Sequence, residues 1–243
     1  TKWAWGKNDN ESLGVGNTDN SSIPVHISGV AGGSSNSGFG AYSDQKIENL
    51  IDSGYIPVAT AEELNNVRYS QANIFGVGTI WEGTYTGGLD KDYIQVADID
   101  LSGYSNWLPL GDSSTKFTGS YDGGNFLIEN LTIDRDSTYY IGLFGWALGV
   151  ASLDNIRLKT VDIAGYIYVG ALIGRTSCNV TNCSVEAGIV TTKAPKIKIA
   201  YAGGLIGFIE SCNIDNCFST VDIAGTDTTI GAYIGGFVGG AYG

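Results

Sequence analysis

Between Phe117 and Gly243 the apolar positions fall in short runs of Val, Ile, Leu and Tyr, each broken after a few residues by Gly, Asn, Ser or Asp. No run keeps a helical apolar period for long enough, so the pattern predicts short strands joined by tight turns. The runs also recur. Tyr140-Ile-Gly-Leu-Phe-Gly145 returns as Tyr168-Val-Gly-Ala-Leu-Ile-Gly174, Tyr201-Ala-Gly-Gly-Leu-Ile-Gly207 and Tyr233-Ile-Gly-Gly-Phe-Val-Gly239, and the closing glycines lie 29, 33 and 32 residues apart. The first copy is one residue shorter than the others, as an end coil would be.

A unit of about 30 residues made only of short strands cannot bury its own apolar face, so its copies must stack. A four-stranded propeller blade needs about 40 to 50 residues, which exceeds this period, whereas a coil of three short parallel strands fits it. The predicted fold is all-β: a right-handed parallel β-helix, with equivalent residues of successive coils about 4.8 Å apart. On that basis Tyr140, Tyr168, Tyr201 and Tyr233 form one column of rings. A second phrase, apolar-x-Asn, recurs at Ile128–Asn130, Leu153–Asn155, Val180–Asn182 and Ile214–Asn216, so Asn130, Asn155, Asn182 and Asn216 are expected as a ladder at one corner. A third phrase, Val161 to Gly165, is repeated unchanged as Val221 to Gly225.

The combination of Tyr-x-Gly-Gly-Leu-x-Gly, Ile-x-Asn-Cys and Val-x-Ile-x-Gly resembles the GLUG repeat of bacterial cell-surface proteins, among them adhesin-like proteins and non-catalytic parts of secreted immunoglobulin-cleaving metallopeptidases. Thr60–Leu64, Asp98–Leu101, Trp107–Gly111 and Phe117–Gly123 look similar to the segments that precede such repeats. The resemblance covers residues 55–243 and implies a surface-displayed scaffold rather than one particular activity. The N-terminal stretch differs. Trp3–Asn8, Leu13–Gly16 and Pro24-Val25 resemble one blade of the propellers named after the regulator of chromosome condensation, with Glu11-Ser12 where that repeat has Gly-Gln. One blade cannot close a propeller, so that family's activities do not carry over.

The domains expected are therefore a propeller-repeat-like segment at 1–29, a linker with a short helix at 30–54, and the β-helix at 55–243, divided into a lead-in and cap at 55–116 and repeats at 117–243. The linker holds Gly32-Gly-Ser-Ser-Asn-Ser-Gly38, and the helix spans Ser43 to Ile51 with Ile47, Leu50 and Ile51 on one face. Thr60 to Val67 is a second helix, because Thr60 and Glu63 stand at capping-box spacing ahead of Leu64 and Val67. It would supply the cap that a solenoid needs at its end.

Charge and composition narrow the chemistry. The formal charge of −12, from 25 acidic and 13 basic residues, argues against nucleic acid as a partner. No run of 18 apolar residues or signal-peptide layout occurs, so no membrane span is expected in this chain, and the absence of Met marks it as processed or a fragment. A single histidine, His26, excludes a His-based metal triad or a Ser-His-Asp arrangement within the chain. A glycosidase would need paired carboxylates, for which Asp162 and Asp222 are the stacked candidates, yet both are repeat-encoded. Calcium is the one cofactor the carboxylates suggest, at Asp98-Ile-Asp100 or Asp122. The ordered Asp-x-Asp-x-Asp-Gly loop is missing, so turn capping is their expected role. Trp81, Tyr85, Tyr93, Trp107 and Trp146 are expected to fill the lead-in coils, the alternative being a sugar-stacking platform.

Two Cys-x4-Cys motifs, Cys178 with Cys183 and Cys212 with Cys217, place Cys178 over Cys212 and Cys183 over Cys217. Buried free thiols come first, disulfides within each motif second and zinc third. The expected function is that of an extracellular, secreted or cell-surface structural and adhesive module, not an enzyme, with a surface glycan or protein as ligand and Tyr140, Tyr168, Tyr201 and Tyr233 as the binding residues. Two alternatives remain at this point. One is a filament assembled end to end, because the chain stops inside a repeat and leaves strand edges open. The other is a polysaccharide-active β-helix enzyme.

Overall fold

A computed structural model describes residues 3–6, 21–26, 40–72, 74–149, 152–194, 198–225 and 231–242. The chain divides into two units, Thr1–Phe39 and Gly40–Gly243. In the first, β1 (Trp3–Gly6) pairs antiparallel with β2 (Ser21–His26). The Gly- and Ser-rich linker sequence, 32–38, lies outside the described residues.

The second unit begins with α1 (Asp44–Asp52), whose Ser43 cap accepts from the Lys46 amide and whose Ile47 is buried. After β3 (Ile56–Val58), α2 (Ala61–Asn66) carries the full capping box: Thr60 Oγ1 accepts from Glu63 N at 3.2 Å, and the Glu63 carboxylate accepts from Thr60 N at 3.2 Å. Glu63 also takes the amides of Ala59 and Val77, which accounts for a carboxylate tolerated in a buried position. Leu64 and Val67 enter the same core as β3, so this helix caps the first coil.

The strands then recur coil by coil. A short coil holds β4 (Tyr93–Gln95) and β5 (Ile99–Asp100). The next holds β6 (Tyr121–Asp122), β7 (Leu127–Glu129), β8 (Thr132–Arg135), β9 (Tyr140–Ile141) and β10 (Phe144–Ala147). It is followed by β11 (Ser152–Asp154), β12 (Arg157–Gly165), β13 (Tyr168–Gly170) and β14 (Ile173–Thr176), and then by β15 (Asn179–Thr181), β16 (Ser184–Thr192), β17 (Ala200–Gly203) and β18 (Ile206–Glu210). The last described coil holds β19 (Ile214–Asp215), β20 (Phe218–Ser219), β21 (Asp222–Gly225), β22 (Ala232–Gly235) and β23 (Val238–Tyr242). Every strand pair in this stack is parallel, and the sheets run in chain order: β3-β4-β6-β11-β15-β19 on one face, β9-β13-β17-β22 on another and β10-β14-β18-β23 on a third. The remaining face is built on β5-β7-β12-β16-β20, with β8 and β21 alongside. This is a parallel β-solenoid of about five turns.

Parallel register turns the sequence repeat into columns of like residues. Ile56, Tyr93, Tyr121, Leu153, Val180 and Ile214 stand one over another inside the first face. Ile99, Ile128, Leu158 and Val185 do the same in the face built on β5-β7-β12-β16-β20. All but Ile214 are buried, and together they form the main core cluster. Among the described residues no helix is long and apolar enough to cross a membrane.

The glycines of the recurring phrase are needed for space. A Cβ on Gly203 would lie 2.6 Å from Gly239 N in the next coil, and one on Gly207 would lie 2.6 Å from Val169 N in the preceding coil. Backbone meets backbone at these points, and neither neighbour can rotate away. Gly236, in the same phrase of the last coil, has nothing within 4 Å of its Cβ position. Gly207→Ala is therefore expected to destabilise the protein by about 3 kcal/mol, and Gly236→Ala by less than about 0.5 kcal/mol, in urea denaturation followed by circular dichroism.

Candidate functional site

Among the described residues a column of aromatic rings runs from coil to coil. Tyr168 pairs in register with Tyr140 and Tyr201, and Tyr201 with Tyr233, so one ring from each of four coils joins a single column. Successive centroids are 5.4, 5.4 and 5.1 Å apart and the planes diverge by only 3° to 9°. Each stacked pair contributes about 0.5–1.5 kcal/mol beyond its burial. Tyr140, Tyr168 and Tyr201 are half-buried, while Tyr233 is 55% exposed.

A second row runs beside the first. In three coils the residue that follows the closing glycine forms it: Trp146, Arg175 and Phe208 occupy one register line, the first two half-buried and Phe208 buried. Trp146 lies 4.8 Å from the Tyr140 ring, and Phe208 meets Tyr168 and Tyr201 edge-on at 5.5 and 4.9 Å. The Arg175 guanidinium sits 4.4 Å from the Trp146 ring and 5.6 Å from that of Tyr168, and it is ion-paired with Glu210. Lys116 approaches Trp146 at 4.8 Å. Sequence reasoning missed this row because its side chains differ from coil to coil. The constant signal was their position, one residue after Gly145, Gly174 and Gly207.

Beyond Tyr140 the column gives way to a groove of about 310 Å³. Tyr140, Tyr69, Leu108, Asp112 and Thr115 line it, with Arg68 at its wall. The Arg68 guanidinium donates to the carbonyls of Leu108 at 2.8 Å and Pro109 at 3.3 Å, and it faces the buried Trp107 ring at 5.2 Å, so it fixes the loop that shapes the groove. Asp112 Oδ1 accepts from Ser114 N and Thr115 N at 2.7 and 2.8 Å, which closes the turn beside it. Of the aromatics expected to fill the lead-in, Tyr93 and Trp107 are fully buried, Trp81 and Tyr85 half-buried, and Trp146 belongs to the outer aromatic flank.

The asparagine ladder has three members. Asn216 Nδ2 donates to Asn182 Oδ1 at 2.7 Å, Asn182 Nδ2 to Asn155 Oδ1 at 3.2 Å, and Asn155 Nδ2 to Asp122 Oδ1 at 3.0 Å. All three asparagines have φ between 50° and 55°, the left-handed region that Asn tolerates better than other side chains with a Cβ. The donors all run one way, and the row ends on a carboxylate, which can only accept. Asn130 is a correction. The pairing of Glu129 with Lys159 sets Asn130 beside Thr160 on another face, where its amide donates to Asp100 at 2.8 Å. The same tripeptide pattern falls on β7 in one place and on β11, β15 and β19 in the others, so sequence likeness did not mean equivalent position.

The other carboxylates have defined tasks. Asp98 accepts from Leu127 N, and Asp100 accepts from Ser102 N and its hydroxyl as well as from Asn130. Among the described residues no group of three or more His, Cys, Asp or Glu side chains is placed to hold a metal ion. Asp162 and Asp222 are two coils apart with Ile189 between them in register, so an exposed apolar side chain separates the proposed carboxylate pair. All four cysteines are free thiols. Cys178 and Cys183 are buried, and Cys212 and Cys217 are half-buried.

Comparison with known proteins matches two parts of the chain. Residues 200–224 match the GLUG motif, and residues 3–36 match the Regulator of chromosome condensation (RCC1) repeat. Halomucin of Haloquadratum walsbyi is 33% identical over 128 residues, which are 51% of this chain and 1% of that protein. A protein of Evansella cellulosilytica named as a Gly-rich membrane protein is 33% identical over 140 residues, 54% of this chain and 14% of the relative. The chain thus spans only a small part of the relatives it matches. Among solved structures, a protein from Bacteroides ovatus named as an immunoglobulin A1 protease aligns over 79% of this chain and 85% of its own, at 13% identity and a TM-score of 0.31.

Asp122 lends itself to a pH test. Burial raises its carboxyl above the ordinary range, and hydrogen bonds from Gly124 N, Asn155 Nδ2 and the Tyr42 hydroxyl only partly offset this. A carboxyl raised by folding binds more protons in the native state than in the unfolded state. Its contribution to stability therefore falls as pH rises from the ordinary carboxyl value through the raised one. Asp122→Asn removes that titration while keeping an acceptor for Asn155. The stability of the variant relative to the parent should rise with pH from about 4 and then level off, as read from urea midpoints.

Proposed function

We propose that this chain is a secreted or cell-surface structural module of an adhesive kind, in which the solenoid is the spacer and the aromatic flank is the contact surface. The observation that carries this reading is the tyrosine column, continuous over four coils and ending at the groove beside Tyr140. In the groove the Tyr69 and Tyr140 rings stand with the Thr115 hydroxyl and the Asp112 carboxylate, a mixture that suits a pyranose, which presents an apolar C–H face and polar edges. The relatives' names, Halomucin and Gly-rich membrane protein, fit a surface structural protein, and so does the GLUG match. The acidic surface is consistent with a neutral glycan rather than a polyanion as ligand.

A glycan array probed with the full chain tests this directly. Retention of a defined set of glycans is expected, with affinity lowered about tenfold or more by Tyr69→Ala and by Tyr140→Ala, and with the folded β-structure of both variants intact by circular dichroism. Absence of any retained glycan would leave the spacer role without the adhesive one.

A further inference from the structure

We propose that Cys183 and Cys217 form a disulfide across neighbouring coils when the protein meets a low-molecular-weight disulfide of the oxidised-glutathione class. The pairing of Ser184 with Phe218 places the two cysteines opposite each other, each directly after a left-handed asparagine of the ladder. They leave the same bend in the same direction. Cys183 Sγ lies within hydrogen-bonding reach of Thr181 O at 3.2 Å and Leu153 O at 3.4 Å, and Cys217 Sγ stands in the same way to Asp215 O at 3.1 Å and Val180 O at 3.6 Å. Cys217 Sγ also accepts from Cys183 N at 3.3 Å, so the outer sulfur already reaches over the inner residue. Stacked strands lie about 4.8 Å apart, inside the Cα separation of about 4.4–6.8 Å that a disulfide spans.

The competing pairings are disfavoured. Strand β15 runs extended between Cys178 and Cys183 and carries them to its opposite ends, which rules out a bond within that motif without unfolding the strand. The Cys178 sulfur meets Thr176 Oγ1 of its own coil at 3.0 Å, whereas Cys217 is the cysteine whose sulfur reaches the backbone of the cysteine in the neighbouring coil.

Exposure sets the order of steps. Cys217 is half-buried and Cys183 fully buried, so the oxidant meets Cys217 first. Hydrogen bonding from the Cys183 side chain lowers the Cys217 thiol, while burial raises that of Cys183. The Cys217 thiolate attacks one sulfur of the small disulfide and expels one thiolate. Cys183, deprotonated, then attacks the Cys217 sulfur of the mixed disulfide and expels the second. Two protein thiols are oxidised, and one small disulfide is reduced to two thiols. The bond closes a loop of 34 residues across the last two described coils.

The test treats the full chain with oxidised glutathione and digests it with trypsin without reduction. Cleavage after Arg175, Lys193, Lys196 and Lys198 separates a peptide holding Cys178 and Cys183 from one holding Cys212 and Cys217. The proposal expects these peptides to be joined, with fragment ions placing the bond at Cys183 and Cys217. The C178S/C212S variant should lose both of its thiols, and C183S/C217S should keep both. Separate peptides, a glutathione adduct persisting on Cys217, or a link that survives only in C183S/C217S would overturn it. If either variant fails to fold, the peptide linkage in the unsubstituted chain decides the question.

Discussion

Hydrogen bonding between parallel coils in fixed register is the constraint on which the rest of this molecule depends. Each coil supplies the partners for the backbone groups of the next, so a short strand such as Ile214–Asp215 is held by its neighbour rather than by its own length. The same register converts each repeated residue into a column. Apolar columns make the core, tyrosines make the outer flank, and asparagines satisfy the corner. The glycine phrase is the geometric condition for all of this, because it lets two runs of backbone pass where no Cβ fits.

The columns differ in what they do at their ends. The asparagine row is polar, with every amide donating toward the N-terminal end, and it finishes on Asp122 and the Tyr42 hydroxyl next to α1. A dipolar row of this kind needs an acceptor at that end, and a carboxylate supplies one. The tyrosine column has no such direction. It passes from a half-buried ring at Tyr140, beside the groove, to an exposed ring at Tyr233. Arg175 ties the aromatic rows together, since its guanidinium faces Trp146, Tyr168 and Phe208 while its charge is matched by Glu210.

Much of this was legible in the sequence. The recurrence of Tyr-x-Gly with a closing Gly identified both the coil and the tyrosine column, because identical residues at one period must share a face. Thr60 and Glu63 announced α2 for a local reason, the reciprocal cap. The ladder was only partly readable. Asn130 repeats the local tripeptide but not its place in the coil, and only the pairing of β7 with β12 distinguishes the two corners. The groove could not be read at all. Its walls come from Arg68, Leu108, Asp112 and Tyr140, which belong to irregular loops and to a repeat strand, and no shared period links them.

A double-mutant cycle between Asn155 and Asn182, read by urea denaturation, tests the stacked register most directly. With Ala at either or both positions, a coupling of about 1 kcal/mol is predicted between them, and none between Asn130 and Asn155. A coupling of zero between Asn155 and Asn182, or an equal coupling involving Asn130, would contradict the register on which every column in the molecule rests.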